Sequence, residues 1–222
     1  MIVHEDADLE YAAIRCAFGG FLRAGQACIS VQRLFVAAKV VDSFQRLFLQ
    51  QVSRLVLGDP LSDQTTVGVL VDDSAVERAM STIAEARDEG ATVLCGGGRA
   101  GRLVEPTVLA HVPRDAQACS TEVFAPIVAL EAYEDIEDAI DGVASSPYGL
   151  QAGLFTNDVR IINRAFERIE VGALIVNDAN TFRVDHMPYG GMKASGIGRE
   201  GVRYAIREMT EERLLVVDPR TR

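Results

Sequence analysis

Residues 6–38 read DADLEYAAIRCAFGGFLRAGQACISVQRLFVAA and place a helical pattern directly before a strand pattern. One face of the first pattern repeats small and apolar side chains at helical spacing, namely Leu9, Ala12, Ala13, Cys16 and Ala17. This spacing predicts a helix over residues 6–24, capped by Asp6 or Asp8 and ended by Gly25. Residues 34–38 are an apolar run typical of a buried strand. Cys28 therefore falls in a turn between a helix end and a strand.

The alternation of helix and strand patterns continues along the chain. Helices are expected over residues 42–55, with Asp42 as N-cap, and over 74–89, 135–145, 158–169 and 200–208. Strands are expected over residues 92–95, 126–132, 150–155, 172–177 and 212–217. Such alternation is typical of an α/β layered fold. Residues 178–200 are rich in Gly, Asn and Asp and are expected to form loops.

Composition narrows the class of protein. The chain has 222 residues, of which 48% are hydrophobic, so it can bury a sizeable core. A net charge of −10 without a basic stripe argues against nucleic acid as a partner. No apolar run approaches the roughly 20 residues of a membrane helix. The start of the chain is acidic and lacks an apolar signal core, so we expect a cytoplasmic protein.

The cysteines and histidines do not suggest a metal site. The cysteines, at positions 16, 28, 95 and 119, form no C-x-x-C pair, and the histidines at 4, 111 and 186 lack ligand spacing. Cys28 is instead a candidate nucleophile, because a turn beside a helix end makes a thiol reachable. On position alone, the favoured alternative is the small buried residue that most cysteines are.

Four groups of short segments, in order along the chain, strengthen the case for Cys28. They include Gly25-Gln26-Ala27-Cys28, Leu57-Gly58-Asp59-Pro60-Leu61, Glu122-Val123-Phe124-Ala125-Pro126-Ile127, Pro188-Tyr189-Gly190-Gly191 and Ser195-Gly196-Ile197-Gly198-Arg199-Glu200-Gly201. In order and spacing they resemble the aldehyde dehydrogenase superfamily over nearly the whole chain. The resemblance implies a three-layer α/β catalytic domain over residues 1–178. It also implies a C-terminal segment, 179–222, with an active-site loop, a helix and an oligomerisation strand.

The resemblance further implies a reaction and its nucleophile. It implies NAD- or NADP-dependent oxidation of a small-molecule aldehyde to a carboxylic acid in a homodimer or homotetramer. Cys28 would attack the carbonyl to give a thiohemiacetal and then a thioester, while its backbone N–H helps to hold the oxyanion. Ala27, Ile29 and Phe182 would contact the substrate.

Two glutamates and an aromatic ring take further roles in the resemblance. Glu122 and Phe124 match an E-x-F-x-P motif whose carboxylate accepts hydrogen bonds from the nicotinamide ribose and whose ring packs beside it. The alternative is a surface glutamate and a core phenylalanine. Glu200 matches a proton-relay glutamate, and stabilising a helix N-terminus is an equally good interpretation.

The loop before residue 200 offers one specificity hypothesis. Arg183 could pair with an anionic group on the substrate, because guanidinium binds carboxylate and phosphate bidentately. The alternative, which the sequence favours, is a solvated loop arginine. The sequence does not indicate which way the His186 side chain points. Asn177 is expected to fix a loop rather than to react.

The family's dinucleotide-binding half, a general base and an oxyanion-hole asparagine would all precede these motifs, and none is present in the 222 residues. The chain is therefore expected to be the catalytic portion of a longer enzyme or a truncated relative. Hydrolytic and coenzyme A-acylating outcomes stay open. Two other functions also stay open. One is Cys28-dependent esterase or acyl transfer without cofactor. The other is non-catalytic pairing with full-length subunits through the C-terminal strand.

Overall fold

The structure, a computed structural model, describes residues 1–219 and has alternating helices and strands, as predicted. The helices are α1 Leu9–Phe21, α2 Val41–Val52, α3 Asp73–Asp88, α4 Gln117–Ser120, α5 Ile136–Ala144, α6 Val159–Arg168 and α7 Val202–Glu208. The strands are β1 Ile2–Val3, β2 Arg33–Ala37, β3 Thr92–Cys95, β4 Arg99–Ala100, β5 Leu103–Val104, β6 Thr107–Ala110, β7 Ile127–Tyr133, β8 Tyr148–Gly149, β9 Gln151–Phe155, β10 Ala173–Val176 and β11 Met192–Lys193.

Seven of these strands form the central sheet, in the order β10-β9-β1-β2-β7-β6-β3. Every neighbouring pair is parallel except β3 and β6, which are antiparallel. The amino ends of the parallel strands therefore meet at one edge of the sheet. The turn that carries Cys28 leads into β2 at this edge.

Helices cover both faces of the sheet because strand side chains alternate in direction. Leu34 and Val36 of β2 pack into a core with α1, α2 and α3, whereas Phe35 and Ala37 pack into a second core with α5 and α6. Stacked rings of Phe44 and Phe48, 5.7 Å apart, fill part of the first core. The predicted three layers are confirmed.

The first helix is shorter than predicted. Asp8, one of the two expected caps, accepts a hydrogen bond from the Tyr11 amide at 3.1 Å, so α1 begins at Leu9. Asp6 bonds instead to Thr156 and Asn157 after β9. A 3₁₀ turn at Leu22–Gly25 follows α1.

The prediction that Asp42 caps the second helix is wrong. Helix α2 begins at Val41 after Val40, which makes no capping side-chain bond. Asp42 lies in the first turn, where a carboxylate is favourable to the helix dipole. The helix ends at Val52 rather than at residue 55 because the chain turns there, where Leu55 donates to the Val52 carbonyl at 3.1 Å.

The last predicted strand is also absent from the described chain. Residues 212–217 have no strand structure, and their side chains are exposed. A strand exists only when a neighbour accepts and donates its ladder bonds, and no segment of residues 1–219 pairs with this one. Conversely, β1 and β6 were not predicted, and the two residues of β1 are too few for a periodic pattern. No helix within residues 1–219 has the length and apolar character needed to cross a membrane.

Candidate active site

The Cys28 turn depends on a glycine that no other residue could replace without strain. Gly25 has a φ of +70°, and a Cβ at this position would lie 2.1 Å from the carbonyl oxygen of Ala125. Arg23 and Ala24 just before it also have left-handed backbone. This sharp reversal redirects the chain from α1 and leaves Cys28 exposed in a turn.

Hydrogen bonds on both sides hold this turn in place. The Ser30 hydroxyl lies 3.2 Å from the carbonyl oxygens of Gly19 and Gly20 in α1. Asn180, only 8% exposed, donates from Nδ2 to the Ile29 carbonyl at 3.2 Å. The residue next to Cys28 is thereby tied to a segment 151 positions later in the chain. Sequence reasoning missed Asn180, because an asparagine in a polar loop carries no distinguishing pattern.

A cleft of about 390 Å³ opens beside the turn, at the amino ends of β2, β7 and β9. Ala27, Cys28, Glu122 and Phe124 all line it. The structure therefore brings together the predicted nucleophile, one predicted substrate contact and both predicted cofactor residues. Tyr148, Gly149 and Asn180 also line the cleft.

Glu122 and Phe124 present free chemical groups to this cleft. Among residues 1–219, no partner forms a hydrogen bond or ion pair with the Glu122 carboxylate. Phe124 is 46% exposed and has a φ of +51°, so it is not the core side chain that the alternative required. Gln32 holds the segment, since its side chain accepts from the Val123 amide and donates to the Thr121 carbonyl at 2.6 Å. The Glu122 carboxylate could accept hydrogen bonds from the hydroxyls of a ribose, and the Phe124 ring could pack against one face of the sugar.

Tyr189 contacts the Cys28 sulfur directly, which the sequence did not indicate. Its hydroxyl oxygen lies 3.2 Å from Sγ of Cys28. The backbone of Tyr189 pairs with that of Glu200 through two hydrogen bonds, and the Arg183 guanidinium lies 4.4 Å from the centre of its ring. Burial, followed by the hydrogen bond to Cys28, raises the pKa of Tyr189. The only signal in the sequence was a phenol within Pro188-Tyr189-Gly190-Gly191.

The other predicted site residues lie off the cleft lining. Ile29 and Phe182 are not among its walls, although the Phe182 carbonyl accepts from the Gln151 side chain at 3.3 Å. Glu200 is also off the lining, and its exposed carboxylate lies 3.4 Å from Arg183. Glu200 does not cap α7 through its side chain, since Gly201 is the N-cap and lacks a capping bond.

Cys28 differs from the other three cysteines in exposure. Cys16 is fully buried, and burial raises its pKa to about 12. Burial also raises the pKa values of Cys95 and Cys119. No group of three or more metal-binding side chains forms within residues 1–219. Asn177 fixes a loop, as expected, because its side chain accepts from the Thr156 amide at 3.1 Å.

Comparison with known proteins matches residues 1–215 to the aldehyde dehydrogenase family. The chain belongs to this family. It is 48% identical to 3-sulfolactaldehyde dehydrogenase of Priestia megaterium over 98% of its length and 46% of the relative's. It is 39% identical to sulfoacetaldehyde dehydrogenase of Neptuniibacter caesariensis, of which it covers 48%. The chain thus spans about half the length of these aldehyde dehydrogenases.

Solved structures of aldehyde dehydrogenases share the fold. Aldehyde dehydrogenase 21 of Physcomitrella patens, in complex with the product succinate, superposes with a TM-score of 0.92 at 40% identity. Glyceraldehyde-3-phosphate dehydrogenase GapN of Methanocaldococcus jannaschii, in complex with NADP, gives 0.91 at 41% identity. The chain covers 44% of the first structure and 45% of the second, and 95% and 94% of its own length align.

Proposed function

We propose that this chain is the thiol-bearing portion of an NAD- or NADP-dependent aldehyde dehydrogenase. The observation that carries the proposal is the exposed Cys28 thiol on the wall of a cleft shared with Glu122 and Phe124. In the proposed reaction the Cys28 thiolate forms a bond to the aldehyde carbon, and the carbonyl electron pair moves to oxygen. The Cys28 backbone N–H then faces the developing oxyanion.

Glu122 and Phe124 are the proposed cofactor contacts. An acceptor-only carboxylate without another partner suits two ribose hydroxyls, and an exposed ring suits the flat side of the sugar. When bound, the nicotinamide supplies the hydride acceptor that converts the thiohemiacetal on Cys28 to a thioester. Glu200 is proposed as the proton relay, and Ala27, Ile29 and Phe182 as substrate contacts.

We propose further that the substrate is a small aldehyde carrying an anionic group. Named substrates or products of the relatives include 3-sulfolactaldehyde, sulfoacetaldehyde and succinate, all of which carry a negative charge. Arg183 is the proposed cation, because it stacks on the ring whose hydroxyl contacts the Cys28 sulfur. The Arg183 guanidinium lies 3.4 Å from the Glu200 carboxylate, which is longer than a strong charge-assisted hydrogen bond, so an anionic substrate can replace Glu200 as its partner.

The C-terminal segment is the proposed oligomerisation element. Within residues 179–222, Leu214, Leu215, Val216 and Val217 expose between 68% and 89% of their surface. Apolar side chains with an unpaired backbone favour addition to the sheet edge of another subunit. A homodimer or homotetramer would cover them, with residues 1–178 forming the catalytic domain of each subunit.

The test of the catalytic proposal uses alkylation of Cys28 and cofactor reduction together. Sulfoacetaldehyde should protect Cys28 from iodoacetamide, because a thiohemiacetal occupies the sulfur. Acetaldehyde, which lacks the sulfonate, is the matched neutral probe. Reduction of NAD or NADP should require Cys28 and disappear in Cys28→Ala. Equal NAD(P)H formation in Cys28→Ala, or no protection by either aldehyde, would contradict the proposal.

A pair of variants tests the proposed substrate class separately. Arg183→Ala should weaken protection by sulfoacetaldehyde about three- to tenfold and leave protection by acetaldehyde unchanged. Arg203→Ala in α7 is the control, since it removes an exposed arginine that contacts neither Tyr189 nor Glu200 among the contacts of the described residues. Cys28-dependent ester hydrolysis without any nicotinamide requirement would instead support acyl transfer as the activity.

A further inference from the structure

Tyr189 is the one side chain within hydrogen-bonding distance of the Cys28 sulfur among residues 1–219. The two residues lie 161 positions apart and meet at 3.2 Å, with the Tyr189 side chain half-buried and that of Cys28 exposed. Either group can donate in the neutral pair. When the sulfur ionises it becomes an acceptor only, so the phenol must then be the donor.

Several contacts fix the phenol for this role. Two backbone hydrogen bonds to Glu200, at 3.2 and 2.6 Å, hold Tyr189 on its strand-like bridge. The Arg183 guanidinium over the ring restrains it on one face. The charged and titratable groups around the phenol are thus Cys28, Arg183 and Glu200. The hydroxyl can stay protonated throughout, because its pKa is raised.

We propose that Tyr189 is a catalytic residue whose hydroxyl donates a hydrogen bond to the Cys28 thiolate and so stabilises the attacking form of the nucleophile. The inference rests on the proposed function, since it assigns a partner to the same nucleophile. No proton leaves Tyr189 in this step. As the carbon–sulfur bond forms, the negative charge moves from sulfur to the carbonyl oxygen, and the phenol keeps its proton.

A hydrogen bond to a thiolate has two opposing effects on its reactions. It enlarges the thiolate fraction near neutral pH, and charge-assisted bonds are the stronger ones. It also lowers the intrinsic nucleophilicity of each thiolate, by less than the gain in population. Removing the hydroxyl should therefore slow attack at neutral pH and not slow it at high pH, where all of the thiol is ionised.

The experiment measures the rate of Cys28 alkylation by iodoacetamide across pH, with the modified residue identified by peptide mass spectrometry. Tyr189→Phe keeps the ring that stacks under Arg183 and removes only the hydroxyl. We expect its rate at neutral pH to fall about three- to tenfold and its profile to move to higher pH, with no loss at the high-pH plateau. Tyr148→Phe is the matched control, because Tyr148 lines the same cleft without contacting Cys28.

The other outcomes overturn the inference in distinct ways. A profile identical to that of the unmodified chain, or a faster reaction at neutral pH, excludes stabilisation of the thiolate. An equal change at every pH, or the same change in Tyr148→Phe, indicates a structural effect on the cleft. If Cys28 is not the residue that reacts in the unmodified chain, the proposed function fails instead, and the two failures are distinguished.

Discussion

Replacing Gly25 with alanine should destabilise the turn before Cys28 by more than the cost of a left-handed backbone alone. A φ of +70° in the left-handed region costs a residue with a Cβ about 1–2 kcal/mol. The new Cβ would also lie 2.1 Å from the Ala125 carbonyl oxygen and 2.4 Å from its carbonyl carbon. Forcing such an overlap apart costs typically about 1–3 kcal/mol.

The overlap cannot be relieved cheaply, because Ala125 leads into a central strand. Its carbonyl accepts from the Ile127 amide at 2.7 Å, and β7 is bonded on both sides within the sheet. We therefore expect Gly25→Ala to lower the free energy of unfolding by about 2–5 kcal/mol in total. With a urea dependence of about 2–3 kcal/mol per molar, the unfolding midpoint falls by roughly 1–2 M.

Gly101→Ala is the matched control for this prediction. Gly101 has a φ of +60°, close to that of Gly25, but a Cβ there would meet no atom within 4 Å. Urea unfolding followed by circular dichroism should show the backbone cost alone in Gly101→Ala. Equal losses in the two variants would refute the argument, because the contact with Ala125 would then contribute nothing.

Three further predictions concern thiol access and the contacts that hold the site. Iodoacetamide should modify Cys28 in the folded chain and leave Cys16 unmodified up to about pH 9, because burial raises the pKa of Cys16 to about 12; modification of Cys16 before unfolding would contradict this. Asn180→Ala should cost about 1–3 kcal/mol of unfolding free energy, because the Ile29 carbonyl loses its donor; an unchanged urea midpoint would show that solvent replaces it. Asp6→Ala should cost about 2–3 kcal/mol of unfolding free energy, because two hydrogen bonds at 2.8 Å are lost. Asp63→Ala on an exposed loop is the control and should cost little. Equal urea midpoints in the two variants would show that the Asp6 hydrogen bonds do not stabilise the fold.

The sequence predicted the layers of the fold better than its edges. The apolar run of β2 predicted a buried strand, because alternate residues face two different cores and both must be apolar. Local patterns could not place β1, whose two residues pair with β2 and β9 from distant parts of the chain. Residues 212–217 have the composition of a strand, but the pairing that makes a strand comes from a neighbour.

The candidate site could be predicted only in part, again because local patterns do not encode contacts between distant residues. Cys28, Glu122 and Phe124 lie in short motifs whose order along the chain carries the signal, and the structure places all three on one cleft. Tyr189 and Asn180 act through contacts to residues more than 150 positions away. No local spacing encodes such a contact, so neither residue could be assigned before the fold was known.

The two long-range contacts of the Cys28 turn also bear on the order of folding. Ile29–Asn180 and Cys28–Tyr189 close loops of 151 and 161 residues, and the entropy of such closure must be lost before the contact can stabilise anything. Helices and neighbouring strand pairs can form while the thiol is still unrestrained. During refolding, the fixed geometry of the nucleophile should therefore arise after the helices and the strand pairs that are close in sequence, together with the equally long-range pairing of β1 with β9.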